Sequence, residues 1–108
     1  MAKLEKVLTG DFDKILDKIE SGVLGASISA SLEDKSDFVC GGSRCSVRIF
    51  ERYSYMGGNR VSMSVTLFQG EDGKIHLSAI TAGGSQAMFF KMNTFGEEAF
   101  LDTLRDLF

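Results

Sequence analysis

RCSVRIFERYSYMGGNRVSMSVTLFQGEDGKIHLSAITA, residues 44–82, is the stretch that decides the fold. Apolar side chains recur at every second position in three runs, Cys45-Val47-Ile49, Val61-Met63-Val65-Leu67 and Ile75-Leu77-Ala79, with glycine-bearing turns between them. A period of two marks strands with one buried face, so the stretch predicts an antiparallel meander. The alternate positions hold Arg44, Arg48, Phe50, Arg52, Arg60, Phe68 and His76, which are expected to face outwards.

Pairing follows from the same parity, because inward residues on neighbouring strands must sit opposite one another. A two-residue Gly57-Gly58 turn would set Ile49 against Thr66. A three-residue loop, Gly57-Gly58-Asn59, instead pairs Ile49 with Leu67, Tyr53 with Met63 and Tyr55 with Val61, and is the better choice. Glu71-Asp72-Gly73, with Gly73 as the left-handed residue of a bulged turn, sets Leu67 opposite Leu77 and Val65 opposite Ala79. The outer face then carries the rows Arg48–Phe68–His76, Phe50–Thr66–Ser78 and Arg52–Ser64–Ile80.

Outward from the meander, Phe12, Ile15, Leu16 and Ile19 recur at helical spacing, which predicts a helix over about 11–21 with Gly22 as its cap. Ala26, Ile28, Ala30 and Leu32 then alternate with polar residues as a strand, Asp34-Lys35-Ser36 supplies turn chemistry, and Phe38 and Cys40 return facing inwards. The inward parity changes from even to odd between Cys40 and Cys45, so Gly41-Gly42 is expected to form a bulge or a break. At the other end, Thr94 and Glu97 have capping-box spacing, and Phe100, Leu101, Leu104, Leu107 and Phe108 form a helical stripe. An aromatic final residue points to docking rather than to a frayed tail. The fold class is therefore α+β: a two-layer sandwich whose antiparallel four- or five-stranded meander carries an N-terminal and a C-terminal helix on one face.

With 108 residues the chain is long enough for one domain, 1–108, with its own core. A net charge of −3 and a pI near 5.1 argue against a nucleic-acid partner, which calls for a basic stripe. No apolar run reaches the ~20 residues of a membrane span and no signal-like segment follows the start, so a soluble cytoplasmic protein is expected. Cys40 and Cys45 match no zinc spacing and build no disulfide framework. They read as two reduced thiols packed as small hydrophobes, with a redox role as the alternative. No cofactor or metal motif is present.

Three groups of residues are candidates for binding. On the outer face, Arg48, Phe50, Arg52, Phe68 and His76 mix rings with cations, a chemistry that suits an acidic ligand or a partner surface, with self-association favoured. The bland alternative is that arginine stems and rings shield one another, or that the C-terminal segment covers this face. Glu51 falls on the expected inner face opposite Val65, where a carboxylate is costly unless paired. It marks either a pocket shared with Tyr53 and Tyr55 beneath the helices, or a local bulge that turns it to the rim. Gly83-Gly84-Ser85-Gln86-Ala87 offers Ser85 and Gln86 in a glycine-rich loop before an apolar run. It lacks the lysine and spacing of a phosphate-binding loop, and the glycines read equally well as a plain chain reversal. His76 is the only histidine and has no evident catalytic partner.

Phe50-Glu51-Arg52-Tyr53-Ser54, Gly57-Gly58-Asn59-Arg60-Val61-Ser62 and Gly83-Gly84-Ser85-Gln86-Ala87-Met88-Phe89-Phe90 resemble a small uncharacterised protein family of bacteria with low-GC genomes. The resemblance covers nearly the whole chain and implies a cytoplasmic bacterial protein of unknown function. It supplies no catalytic motif. The expected role is a non-enzymatic interaction module, a homodimer, whose outer sheet face or Gly83-to-Phe90 segment binds a partner or a small acidic ligand. The alternative is a ligand carrier or small enzyme with a pocket at Glu51, Tyr53 and Tyr55.

Overall fold

Five strands and two helices follow one another as β1 (Ala2–Leu8), α1 (Phe12–Gly25), β2 (Ser31–Cys40), β3 (Ser43–Tyr53), β4 (Arg60–Gln69), β5 (Ile75–Gly83) and α2 (Phe90–Arg105). The computed structural model describes residues 1–53, 60–83 and 90–108, the side chains of 90–95 excepted. All neighbouring strands pair antiparallel in the order β1-β5-β4-β3-β2, so a four-stranded meander gains β1 at its far edge. The α+β class and the antiparallel sheet hold. The first element, however, is the strand β1 rather than a helix, and the N-terminal helix follows it.

Asp11 starts α1 as its N-cap, its carboxylate accepting a hydrogen bond from the Lys14 N–H at 3.0 Å. Phe12, Leu16, Ile19 and Val23 form one buried stripe at three- and four-residue spacing. The helix runs through Gly22, which is therefore no cap. A Cβ at Gly22 would lie 2.5 Å from Leu107 Cδ2, so glycine here allows the chain after α2 to close against α1. α2 is likewise already helical at residue 94, so Thr94 is not its cap.

The strand expected over 26–33 begins only at Ser31, and Ile28 is fully exposed in the connection. Asp34-Lys35-Ser36 is not a turn, because β2 passes straight through it. The local turn propensity is overridden by ladder pairing with β3, and the irregularity sits at Glu33, where the register slips between Leu32 and Asp34. Gly41-Gly42 is a two-residue hairpin turn joining Cys40 to Ser43, with Gly41 at φ 57°. The parity of same-face residues does change there from even to odd, as expected, but across a turn between two strands, and the face that Phe38, Cys40 and Cys45 share is the outer one rather than the inner one.

The β4–β5 hairpin matches its expected register, Leu67 on Leu77 and Val65 on Ala79, with Gly73 at φ 83°. The β3–β4 register does not. Ile49 lies opposite Ser64 and Phe50 opposite Met63, a slide of three residues that inverts both faces of β3. Even-numbered residues of β3 point at the helices and odd-numbered ones away from them. The reason is volume: Phe50 is wholly buried between β4 and the helix layer, with Phe100, Leu101 and Leu104 of α2 in the same core, and no odd-numbered residue of β3 offers an aromatic ring at that depth. The expected Gly57-Gly58-Asn59 loop lies outside the described residues.

Candidate functional site

Three of the four arginines expected on the outer face line the inner one, and only Arg60 stays outside. Arg44, Arg48 and Arg52 alternate with Ser46 and Phe50 along β3 and meet the helix layer. Arg44 reaches Asp13 of α1 at 2.8 Å and stacks over the Phe12 ring at 4.1 Å. Arg52 lies over the Phe100 ring at 4.8 Å. Arg48, 5 % exposed, donates from Nε to Glu20 at 2.6 Å and from Nη1 to Asp37 at 3.0 Å, clasping α1 to the β2–β3 hairpin. Burial opposes the Arg48 charge, but Glu20 and Asp37 outweigh it and hold its pKa above the ordinary value. Ser46 and Arg48, both donating to Asp37, keep that carboxyl below its ordinary range. These cations are committed to the fold. Phe50 is part of the core.

Glu51 and Tyr53 are also displaced, in the opposite sense. Both lie on the face away from the helices, where Arg60 bonds Glu51 at 2.7 Å and stacks over the Tyr53 ring at 5.3 Å. Glu33, at the β2 bulge, adds a second carboxylate 3.5 Å from Arg60. Of the two readings of Glu51, the rim position fits and the pocket under the helices does not; the residue is a paired carboxylate on the opposite face. A single slide in register accounts for this and for the arginines together. Tyr55, Ser85 and Gln86 lie outside the described residues.

Phe68 and His76 do face outwards and do meet, with ring centroids 6.3 Å apart and planes inclined at 40°. Both helices cover the other side, so among the described residues no helix covers this face. The registers carry the Phe68–His76 row on through Cys45 to Phe38 on one side and to Val7 on the other. Two rows further along, Ile80, Ser64 and Ile49 align. Between the two rows, Val47, Thr66 and Ser78 fill the middle. Phe68 is 42 % and Ile80 41 % exposed, and Phe38, towards the hairpin end, 62 %. Glu5, Val7, Thr66, Phe68, His76 and Ser78 border a shallow depression of about 450 Å³ on this face.

The outward residues of the three central strands, Cys45 to Ile49, Ser62 to Phe68 and His76 to Ala82, include no carboxylate, lysine or arginine. Charge is confined to the rim: Lys3 and Glu5 on β1, Asp34 on β2, and Glu51, Arg60 and Glu33 at one end. Carboxylates, lysines and arginines thus surround the centre of this face without entering it. Among the described residues no helix is long and apolar enough to cross a membrane.

The model of a family of unknown function, DUF6054, matches residues 1–108. The chain belongs to this family. No curated protein and no solved structure matches it. DUF6054 membership assigns no activity to any position, so the chemistry of the site rests on the geometry above.

Sequence reasoning placed Phe68 and His76 on the outward face but turned Phe38, Cys40, Cys45, Val47 and Ile49 inwards and did not consider Val7. One signal for the true face was present. Asp13 and Glu20 are seven residues apart, two helical turns or about 10 Å, and Arg44 and Arg48 are four strand residues apart, about 13 Å. Two carboxylates on one face of α1, spaced nearly as two arginines on one face of β3, pair only if the even residues of β3 face the helix.

Proposed function

We propose that this protein is a non-enzymatic interaction module that self-associates through the open face of its sheet. The observation that carries this reading is that the centre of that face holds no carboxylate, lysine or arginine. In a two-fold contact each patch meets its own copy, so a carboxylate or an ammonium there would face a like charge, and their absence removes that cost. The rim, which mixes Lys3 and Arg60 with Glu5, Asp34 and Glu51, can pair across the axis without being buried.

Size supports a second copy as the occupant. Five strands about 4.8 Å apart span about 24 Å, and four rows of outward residues cover about 27 Å along the strands, giving roughly 650 Å² in projection. Accessible area exceeds projected area, which brings the face near the ~800 Å² per partner of a stable interface. The small hydroxyls Ser62, Ser64, Thr66 and Ser78 keep the centre low, while Phe68, Ile49 and Ile80 provide the apolar anchors. A cytoplasmic setting is part of this proposal and fits two cysteines held as free thiols.

An acidic ligand is the weaker reading, since Arg44, Arg48 and Arg52 are turned to the helices and Arg60 is bound to Glu51. The test is molar mass across a dilution series for wild type and Phe68→Asp. The expected result is a dimer that dissociates on dilution and a variant that stays monomeric while keeping its fold. A wild type that is monomeric at every concentration would overturn the proposal.

A further inference from the structure

Cys40 and Cys45 stand at the end of the β2–β3 hairpin, and both are free, Cys40 exposed and Cys45 half-buried. The register pairs Cys40 with Ser43 and Phe38 with Cys45, so both cysteines belong to the open face and sit diagonally across the hairpin. Diagonal neighbours on one face are about 7–8 Å apart. A disulfide closes when the Cα atoms come within about 7 Å, so a small inward movement of one strand end joins them.

The hairpin is built to give that movement. Every residue of β2 from Glu33 to Cys40 is exposed on an edge strand. The connection is Gly41-Gly42, with Gly41 at φ 57° and no atom within 4 Å of where its Cβ would be. Three residues before Cys40, Asp37 is fixed by Ser46 and Arg48, which confines the movement to the last turn of the hairpin.

We propose that Cys40 and Cys45 form a reversible dithiol–disulfide couple that exchanges with low-molecular-weight disulfides. The exposed Cys40 thiolate attacks one sulfur of the disulfide RSSR, forming a Cys40–SR mixed disulfide and releasing one RS⁻. The Cys45 thiolate then attacks Cys40 Sγ, forming the Cys40–Cys45 bond and releasing the second RS⁻. The two thiol protons of the protein end on the two RSH products, and the two electrons that the protein loses reduce RSSR. Because the hairpin must tighten to close the bond, the disulfide is strained and readily reduced, as reversible rather than structural disulfides are. The couple stands without the docking reading. Only its consequence rests on that reading: Cys45 lies in the Phe38–Phe68–His76 row, so oxidation would reshape one margin of the contact surface.

The test equilibrates the full chain with reduced and oxidised glutathione over a range of ratios, quenches with acid, alkylates free thiols and weighs the intact protein. The expected product is a single chain lighter by two hydrogen atoms that takes up no alkylating agent. Its fraction should rise with the share of oxidised glutathione and return to zero on reduction. In Cys45→Ser, the glutathione adduct on Cys40 should accumulate, because the thiol that resolves it is gone. The proposal is overturned by a wild type that stops at a glutathione adduct, by disulfide-linked dimers in place of the internal bond, or by two alkylated thiols at every ratio. The internal bond is read on the single chain after a denaturing quench, so a wild type that keeps both thiols at every ratio leaves the docking test untouched, and a wild type that is monomeric on dilution leaves the couple untouched.

Discussion

Replacing Phe50 and Ile49 separately by alanine tests which face of β3 is inside. Phe50 is fully buried opposite Met63, in the same core as Phe100, and its truncation removes a ring and leaves a cavity that the rigid sheet cannot fill. Phe→Ala changes at such sites cost about 3–5 kcal/mol. Ile49 is half-buried on the open face, where truncation removes about three methylene equivalents at half burial and leaves no enclosed void, a loss of about 1 kcal/mol. With a urea slope of about 1.5 kcal/mol/M for a chain of this size, the midpoint falls by about 2–3 M for Phe50→Ala and by under about 1 M for Ile49→Ala. The assay is urea unfolding followed by far-UV circular dichroism at the lowest workable protein concentration, so that self-association does not protect Ile49. Equal losses, or a larger loss at Ile49, would refute the register and with it the assignment of the open face.

Further consequences concern the clasp, its titration and the helix contact. Arg48→Ala leaves Glu20 and Asp37 unpaired but able to reach water, so the expected loss is about 1–3 kcal/mol, below the cost of stranding a fully buried charge; Arg48→Met, which keeps the apolar stem, should recover part of it in the same urea assay. Asp37 has its carboxyl pKa lowered by Ser46 and Arg48, so its contribution is present above the ordinary value of about 3.9 and is lost as pH falls through that value towards the lower folded one. Wild type should therefore exceed Asp37→Asn in stability by a constant margin above about pH 5 and by a shrinking one below about pH 4; a margin that grows in acid would contradict this. Gly22→Ala should destabilise the chain although alanine is favoured in a helix by about 1 kcal/mol, because its Cβ would strike Leu107. In a Leu107→Ala background the same change should stabilise, which thermal unfolding of the four variants decides.

How far the sequence could be read depended on whether a signal was local. α1, the β4–β5 hairpin and the stripe of α2 were legible because each rests on its own periodicity or on one glycine: Phe12 to Ile19, Gly73, Phe100 to Leu104. The register of β3 was not, because both of its faces carry apolar residues, Val47 and Ile49 on one and Phe50 on the other. Parity alone favoured the longer apolar run, whereas the fold is decided by where the largest ring fits and by the carboxylates that α1 holds over Arg44 and Arg48. β1 was missed because Lys3, Glu5 and Lys6 leave little alternation in a strand that is held by pairing with β5. Of the candidate site, Phe68 and His76 were read in place because β4 and β5 were. Glu51 looked anomalous only because β3 was inverted; restored to the open face, it is an ordinary rim carboxylate paired with Arg60.

The central claim is that copies of this chain meet through the open sheet face, and it is tested most directly by isotope-filtered nuclear Overhauser spectroscopy on a mixture of labelled and unlabelled protein. The account predicts intermolecular contacts from the methyl groups of Val47, Ile49 and Ile80 to the ring of Phe68. Intermolecular contacts that arise instead from Leu24 and the exposed side of α1, or none at a concentration where the protein is dimeric, would contradict it.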